Sequence, residues 1–399
     1  MIGGLWPALM LAALAAAPPA QARDPAMDAA VRDLCHRQVA LLGEASHGDG
    51  ATFAFKTALI RRLVTECGYD AVLFESSHYD FVELMRRLRA REEATPAMLS
   101  SSIGAIWNRY AELTPLVNFL FGEARAGHLT LGGLDDQIAS AGAFFSLDEM
   151  PLRLTASLPA EARERCRGLL HNRIYSGHPT EPPASTEIQA ALLSCTGQMR
   201  AAARTEEEAH LVRNIASAIG RDLDSGVSLN RRRDESMYGN LRWYLTRLGP
   251  RAKVIIWAQN AHVARDATAS PNFAGGGNLG ALVHLDFGRR AFALGFSAYG
   301  GAWRSVFSRE DEPIAPAPEG TLEALAMTGI SADRVYRDSV WLSRLGQVQA
   351  RPFFYRYAPA NWARVFDGMV VFRSERAPIR IPRAASSPSP AGPGRATPR

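Results

Sequence analysis

Lysine is almost missing from this chain of 399 residues: Lys56 and Lys253 are the only two, and the other basic side chains are arginines. No stripe of basic residues alternates with aromatics, so the formal net charge of +5 does not point to nucleic acid. Long apolar runs are equally scarce. The one from Leu5 to Ala17 is interrupted by Pro7 and is too short to span a bilayer comfortably. There are four cysteines and none precedes Cys35, which argues against a lipid-anchored cysteine behind a leader. No H-E-x-x-H helix of the zinc-protease kind occurs. Glu44-Ala45-Ser46-His47-Gly48 misses the serine nucleophile elbow G-x-S-x-G, because Glu44 holds the first glycine position. No internal repeat is seen.

What remains is an ordinary globular composition, 47% hydrophobic and 21% charged, long enough for one large domain with an insertion or for two domains. Residues 1–22 read as a secretory signal, with Ala20-Gln21-Ala22 as a small-x-small cleavage pattern before Arg23, so the chain is expected to be exported to the periplasm or secreted. An oxidising compartment would let the cysteines pair. Cys166 with Cys195 is the favoured pairing, because it brackets a loop-rich stretch, and Cys35 with Cys67 is a second possibility.

Short apolar runs alternate with helical periodicity. Strands are expected at Gln38 to Leu42, Ala71 to Phe74, His128 to Gly132, Lys253 to Trp257, Arg290 to Phe296 and Met369 to Phe372, with helices at about Ala51 to Glu66, stopped by Gly68, and Thr114 to Arg125. This alternation predicts an α/β fold with a mostly parallel sheet flanked by helices. Between about Phe144 and Leu248 the strand signal vanishes. Helices at Ala160 to Leu170, Thr186 to Arg204 and Glu206 to Leu223 predict a large helical insertion capping the sheet. Residues 377–399, rich in Pro, Ser and Arg, read as a disordered tail, leaving 23–376 as the domain.

Right-handed crossovers put the C-terminal ends of parallel strands on one edge, where open α/β sheets bind ligands. Glu44 and His47 follow the first strand, Glu75 the second, Asp135 the third, Gln259 and His262 the fourth. A neutral imidazole is the side chain best suited to take a proton from water near pH 7, and a carboxylate beside it fixes its tautomer. His47 is therefore the candidate base, with Glu44 and Glu75 as supports. His262 could polarise a carbonyl or protonate a leaving alcohol, and Lys56 could stabilise an oxyanion or orient a carboxylate. The set supports hydrolysis of an ester or lactone by water. Ser46, adjacent to His47 in sequence, is poorly placed to be activated by it.

Gly43-Glu44-Ala45-Ser46-His47-Gly48 resembles the Gly-Glu-x-x-His-Gly signature of the erythromycin esterase family. Arg233-Asp234 with Met237, Lys253 to His262 (KVIIWAQNAH), Gly132-Gly133-Leu134-Asp135 and Phe366-Asp367 are similar to further motifs of that family, in the right order. The resemblance implies His47 as general base supported by Glu44 and Glu75, with His262 lining the same pocket and Lys56 at the family's basic position. It also implies a macrolide substrate and a link to antibiotic resistance. One departure stands out: Gln259 occupies the place of the family's first histidine in this group, and glutamine cannot titrate.

Lys56, Gln259, Asp135 and Arg233 are candidates for contact with substrate, although Asp135, Arg233 and Asp234 read more readily as ion pairs or caps between insertion and sheet. His36, His78, His128, His171, His178, His210 and His284 fall in no comparable pattern. No cofactor is expected; two histidines and two glutamates at one edge could hold a transition metal, but the loss of a ligand at Gln259 disfavours it. The expected partner is a small-molecule ester or lactone. Two other readings stay open: a ligand-binding protein, since the Gly-Glu-x-x-His fold more distantly resembles haem-handling proteins, and a family member that keeps the fold without catalysis.

Overall fold

The computed structural model describes residues 24–138, 144–176, 185–221, 226–270 and 273–382. Eleven strands are seen among them: β1 Val39–Leu42, β2 Ala71–Ser77, β3 Thr130–Asp135, β4 Val254–Trp257, β5 Ala291–Ala298, β6 Gly301–Trp303, β7 Glu312–Ile314, β8 Arg334–Asp338, β9 Gln347–Phe353, β10 Arg356–Asn361 and β11 Gly368–Phe372. Seven form the central sheet in the order β3-β2-β4-β1-β5-β11-β8. All neighbours are parallel except β8, which closes one edge antiparallel to β11. The fold is α/β with a mostly parallel sheet, as the alternating pattern predicts.

Continuous apolar runs become strands buried on both faces. In β1, Val39 and Leu41 pack into one hydrophobic cluster while Ala40 and Leu42 pack into the other. β2 and β4 divide in the same way, with Phe74 and Trp257 on the face covered by the helix Gly50–Cys67. That helix draws its N-terminal cap from far along the chain. The Glu375 carboxylate accepts from the Ala51 amide at 2.6 Å and the Thr52 hydroxyl at 2.7 Å. Its other end stops at Gly68, in the left-handed conformation.

The helical region between β3 and β4 differs from a simple cap. The helices Glu149–Thr155, Ala160–Ser176, Thr186–Ala201 and Glu206–Gly220 share a core of their own, built with Tyr79 and Val82 of the helix His78–Ala90. The helix Gly226–Leu248 instead packs on the sheet, burying Met237, Leu241 and Tyr244 against β strands. Both cysteine pairs are disulfides. Cys35–Cys67 joins the ends of the helices Pro25–Leu34 and Gly50–Cys67, and Cys166–Cys195 joins two helices of the insertion. Among the described residues no helix is long and apolar enough to cross a membrane. The expected signal at 1–22, and the tail from 383 onward, lie outside the described residues; 377–382 are described and partly paired, with Tyr110 bridging Arg380.

After β1 the chain moves outward to β2 and β3, then returns as β4 into the gap between β2 and β1. It then crosses to the other side of β1 as β5. The ends of β2, β4 and β1 therefore meet at the point where the winding direction reverses, the place where open sheets form ligand crevices.

Candidate active site

The loop after β1 is shaped by two close backbone approaches. A Cβ at Gly43 would lie 2.0 Å from the Asn260 side-chain oxygen, and one at Gly48 would lie 1.6 Å from the Arg304 carbonyl oxygen. Only glycine fits either position. Between them Glu44 is fully buried. Its Oε1 accepts from Trp107 Nε1 at 2.8 Å and lies 2.7 Å from His47 Nδ1. Its Oε2 accepts from Lys56 Nζ and from Trp257 Nε1, both at 2.8 Å. An indole N–H can only donate, and an ionised carboxylate has about four acceptor sites. Four donors thus saturate the Glu44 carboxylate.

Lys56 is fully buried, with its ammonium 3.9 Å from the centre of the Trp257 ring. Burial lowers its pKa to about 8 against the pull of Glu44. It orients the Glu44 carboxylate and does not reach solvent. His47 keeps 20% of its side chain exposed and stands edge-on to Trp107, with ring centres 5.2 Å apart. Among the described residues nothing bonds to its Nε2.

A second network sits at the ends of β2, β3 and β4. The pairing of β2 with β3 shifts register between Phe74 and Ser77, and this irregularity re-aims Glu75. Glu75 Oε1 lies 3.0 Å from His262 Nε2 and accepts from Arg233 Nη2 at 3.0 Å, while Oε2 accepts from the Gln259 amide at 3.0 Å. The other ring nitrogen of His262 is 2.7 Å from Asp234, whose second oxygen caps the Leu279 amide at 2.7 Å. Arg233 also binds Asp135 at 2.6 Å. Burial works against a charge on His262, but Asp234 and Glu75 outweigh it and lift its pKa to about 10. Burial alone would likewise raise Glu75; His262 and Arg233 prevail and hold it well below the ordinary carboxylate range. His262 is thus an imidazolium clamped between two carboxylates.

The strand ends bring together Glu44, His47 and Lys56 as one unit, and Glu75, His262, Arg233 and Asp135 as another. Gln259 lies between them. Its backbone amide serves Glu75, and its side chain donates to the Ala45 carbonyl at 3.3 Å. Trp107 and Trp257, two of the four donors to Glu44, are partners that sequence reasoning missed. Trp257 closes a predicted strand, but Trp107 lies in a segment with no periodic signal. Asp49 was missed too: it accepts from the Ser46 amide at 2.7 Å. Of the histidines outside the pattern, His78 follows β2 directly and is buried against the Gly133 carbonyl of β3, and His210 is buried against Asn240; His178 lies outside the described residues. No three His, Cys, Asp or Glu groups stand together as a metal site among the described residues.

Comparison with known proteins supplies a family. The erythromycin esterase family profile matches residues 64–374, beginning after the His47 loop. The protein "Putative hydrolase YbfO" of Bacillus subtilis (strain 168) is 22% identical over 386 residues, covering 84% of this chain and 81% of its own. A solved structure from Bacillus cereus aligns with TM-score 0.68 at 16% identity, over 88% of this chain and 92% of its own. A mutant of the erythromycin esterase EreC in its open conformation aligns with TM-score 0.59 at 14% identity, over 87% and 93%. At these identities the structural likeness speaks for the fold.

Proposed function

The chain belongs to the erythromycin esterase family, a hydrolase assignment at family level, and from that premise we propose that it cleaves an ester or macrolactone with water activated by His47. The observation that carries the reading is the 2.7 Å contact between Glu44 Oε1 and His47 Nδ1. With Nδ1–H donating to Glu44, the neutral ring leaves Nε2 as a bare acceptor on the half-buried side, ready to take a proton from water. Glu44 is saturated by four donors, so it orients and stabilises the imidazolium and takes no proton itself. Water attacks the ester carbonyl, its proton passes to His47 Nε2, and His47 returns that proton to the leaving alkoxide. The products are one carboxylic acid and one alcohol.

Asp135, Glu75, Arg233 and His262 form the charged wall of the same site. His262, held protonated at neutral pH by Asp234 and Glu75, fits the role of a positive charge and not that of a second base. Ser46 is buried and its amide is bound by Asp49, which favours water as nucleophile. The two disulfides favour export to an oxidising compartment.

The test is turnover of a panel of esters and macrolactones by the purified protein, beside His47→Ala, with and without a chelator. Loss of a general base lowers the rate by about 10²–10⁴-fold. Turnover that survives chelation and falls by that factor in His47→Ala supports the reading. Equal turnover by both proteins, or none by either, overturns it.

A further inference from the structure

A second charged group lies against the His47 loop and takes no part in the chemistry above. Tyr110 is fully buried, and its hydroxyl has no hydrogen-bond partner among the described residues. Burial pushes the phenol pKa up, and the positive fields of Arg109, Arg380 and Arg304 oppose that push. Backbone pairing brings these residues together. The Ala111 amide donates to Ile379 and the Ile381 amide to Arg109, both at 2.8 Å, forming an antiparallel bridge between Tyr110 and Arg380. The group flanks His47 on two sides. The Arg304 amide donates to the Gly48 carbonyl at 3.1 Å, one residue past His47. Trp107, whose ring faces His47, begins the turn that ends at Tyr110.

The charges of this group do not balance. Arg304 pairs with Asp311 at 2.6 Å, and Glu112 pairs with Arg376. Arg109 and Arg380 bond only to the carbonyls of Ala105 and Ser308, and no carboxylate pairs with either among the described residues. Like charges held side by side repel, and the guanidinium fork matches the oxygens of a carboxylate or phosphate.

Building on the hydrolase reading, we propose that Arg109 and Arg380, beside the ion-paired Arg304, form an anion subsite at the rim of the His47 loop, and that the ester cleaved there carries a carboxylate or phosphate group. A neutral or cationic ester forfeits the charge-assisted bonds of that rim.

The experiment compares para-nitrophenyl butyrate with the para-nitrophenyl monoester of succinate, in which a carboxylate replaces the terminal methyl, each rate being corrected for spontaneous hydrolysis because that carboxylate can attack its own ester. Wild-type protein should favour the succinate ester in kcat/KM by about tenfold or more, the effect of a hydrogen bond to a charged group. The preference should shrink as salt is raised. Arg380→Gln, at an exposed position, and Arg109→Gln should each erase most of the preference by lowering kcat/KM on the succinate ester. Calorimetric titration with succinate and with inorganic phosphate tests the subsite without turnover, and the tighter of the two names the preferred group. Binding that is lost in both variants, with no ester cleaved, keeps the subsite and removes the hydrolase reading. Equal kcat/KM on the two esters, with no binding of either anion, overturns the proposal.

Discussion

His47 Nδ1 stands 2.7 Å from Glu44 Oε1, and Lys56 Nζ stands 2.8 Å from the other oxygen of the same carboxylate. One buried carboxylate thus positions the half-buried imidazole and binds a buried ammonium. Glu44→Gln puts an amide NH2 where at least one of four donors points, so the site loses both functions together. Turnover is expected to fall by about 10²–10⁴-fold, as when the carboxylate of a Ser-His-Asp triad is neutralised. Urea unfolding should show a loss of about 3–5 kcal/mol, the cost of leaving one partner of a buried pair. A variant with wild-type kcat would show that Glu44 does not orient the base.

His262 makes stability depend on pH in a defined direction. Its pKa rises from the ordinary 6.5 to about 10 on folding, so the folded state holds its proton more tightly. The stabilisation is fully present below pH 6.5 and is lost as pH rises through 10. Lys56 acts oppositely: its pKa falls from 10.5 to about 8, so its contribution improves with pH across that window. The wild-type curve alone mixes the two. The difference between wild type and His262→Asn isolates the first, and that difference should be largest near pH 6 and shrink towards pH 10. A difference that stays constant over the window would mean that His262 is not held as an imidazolium.

Gln259, where the sequence resemblance expects a histidine, makes a single side-chain bond among the described residues, and that bond is shared. The Ala45 carbonyl accepts from Gln259 Nε2 at 3.3 Å and also from the Phe354 amide at 3.0 Å. The contact with Glu75 comes from the Gln259 backbone, which any residue other than proline supplies. Gln259→Ala is therefore expected to cost about 1 kcal/mol, one ordinary hydrogen bond, and to leave turnover within a few-fold of wild type. A loss of turnover as deep as that of His47→Ala would show that the glutamine side chain acts in the reaction.

The strands that carry the site were legible because buried parallel strands read as continuous apolar runs, and the residues closing them, Glu44, Glu75, Asp135 and Gln259, follow directly. The parts that were not legible depend on non-local partners. β8 is an edge strand with no buried residue, and Arg334–Asp338 (RVYRD) neither alternates nor forms an apolar run, so it carried no strand signal. Trp107 reaches Glu44 from a segment without periodicity. That Lys56 faces a buried carboxylate instead of a ligand was one of two readings, and its full burial with the 2.8 Å bond to Glu44 separates them. The helix Gly226–Leu248 reads like its neighbours in the insertion, but Met237 and Leu241 turn its apolar stripe onto the sheet.

Gly48 ties the catalytic loop to the proposed rim, and its replacement tests both. An added Cβ would lie 1.6 Å from the Arg304 carbonyl oxygen and 2.5 Å from the carbonyl carbon. Those atoms are backbone and cannot rotate away, so either the His47 loop or the segment at Arg304 must move. A shift of about 1 Å at a reacting group costs roughly 10²-fold in rate, and Gly48→Ala should lose at least that much turnover. Gly197 provides the matched control. It is exposed in the helix Thr186–Ala201, nothing lies within 4 Å of a Cβ there, and Gly197→Ala should gain about 0.5–1 kcal/mol of stability without changing turnover. If the two variants behave alike in the assay, the contact between Gly48 and Arg304 does not position His47, and the rim arginines lose their geometric link to the base.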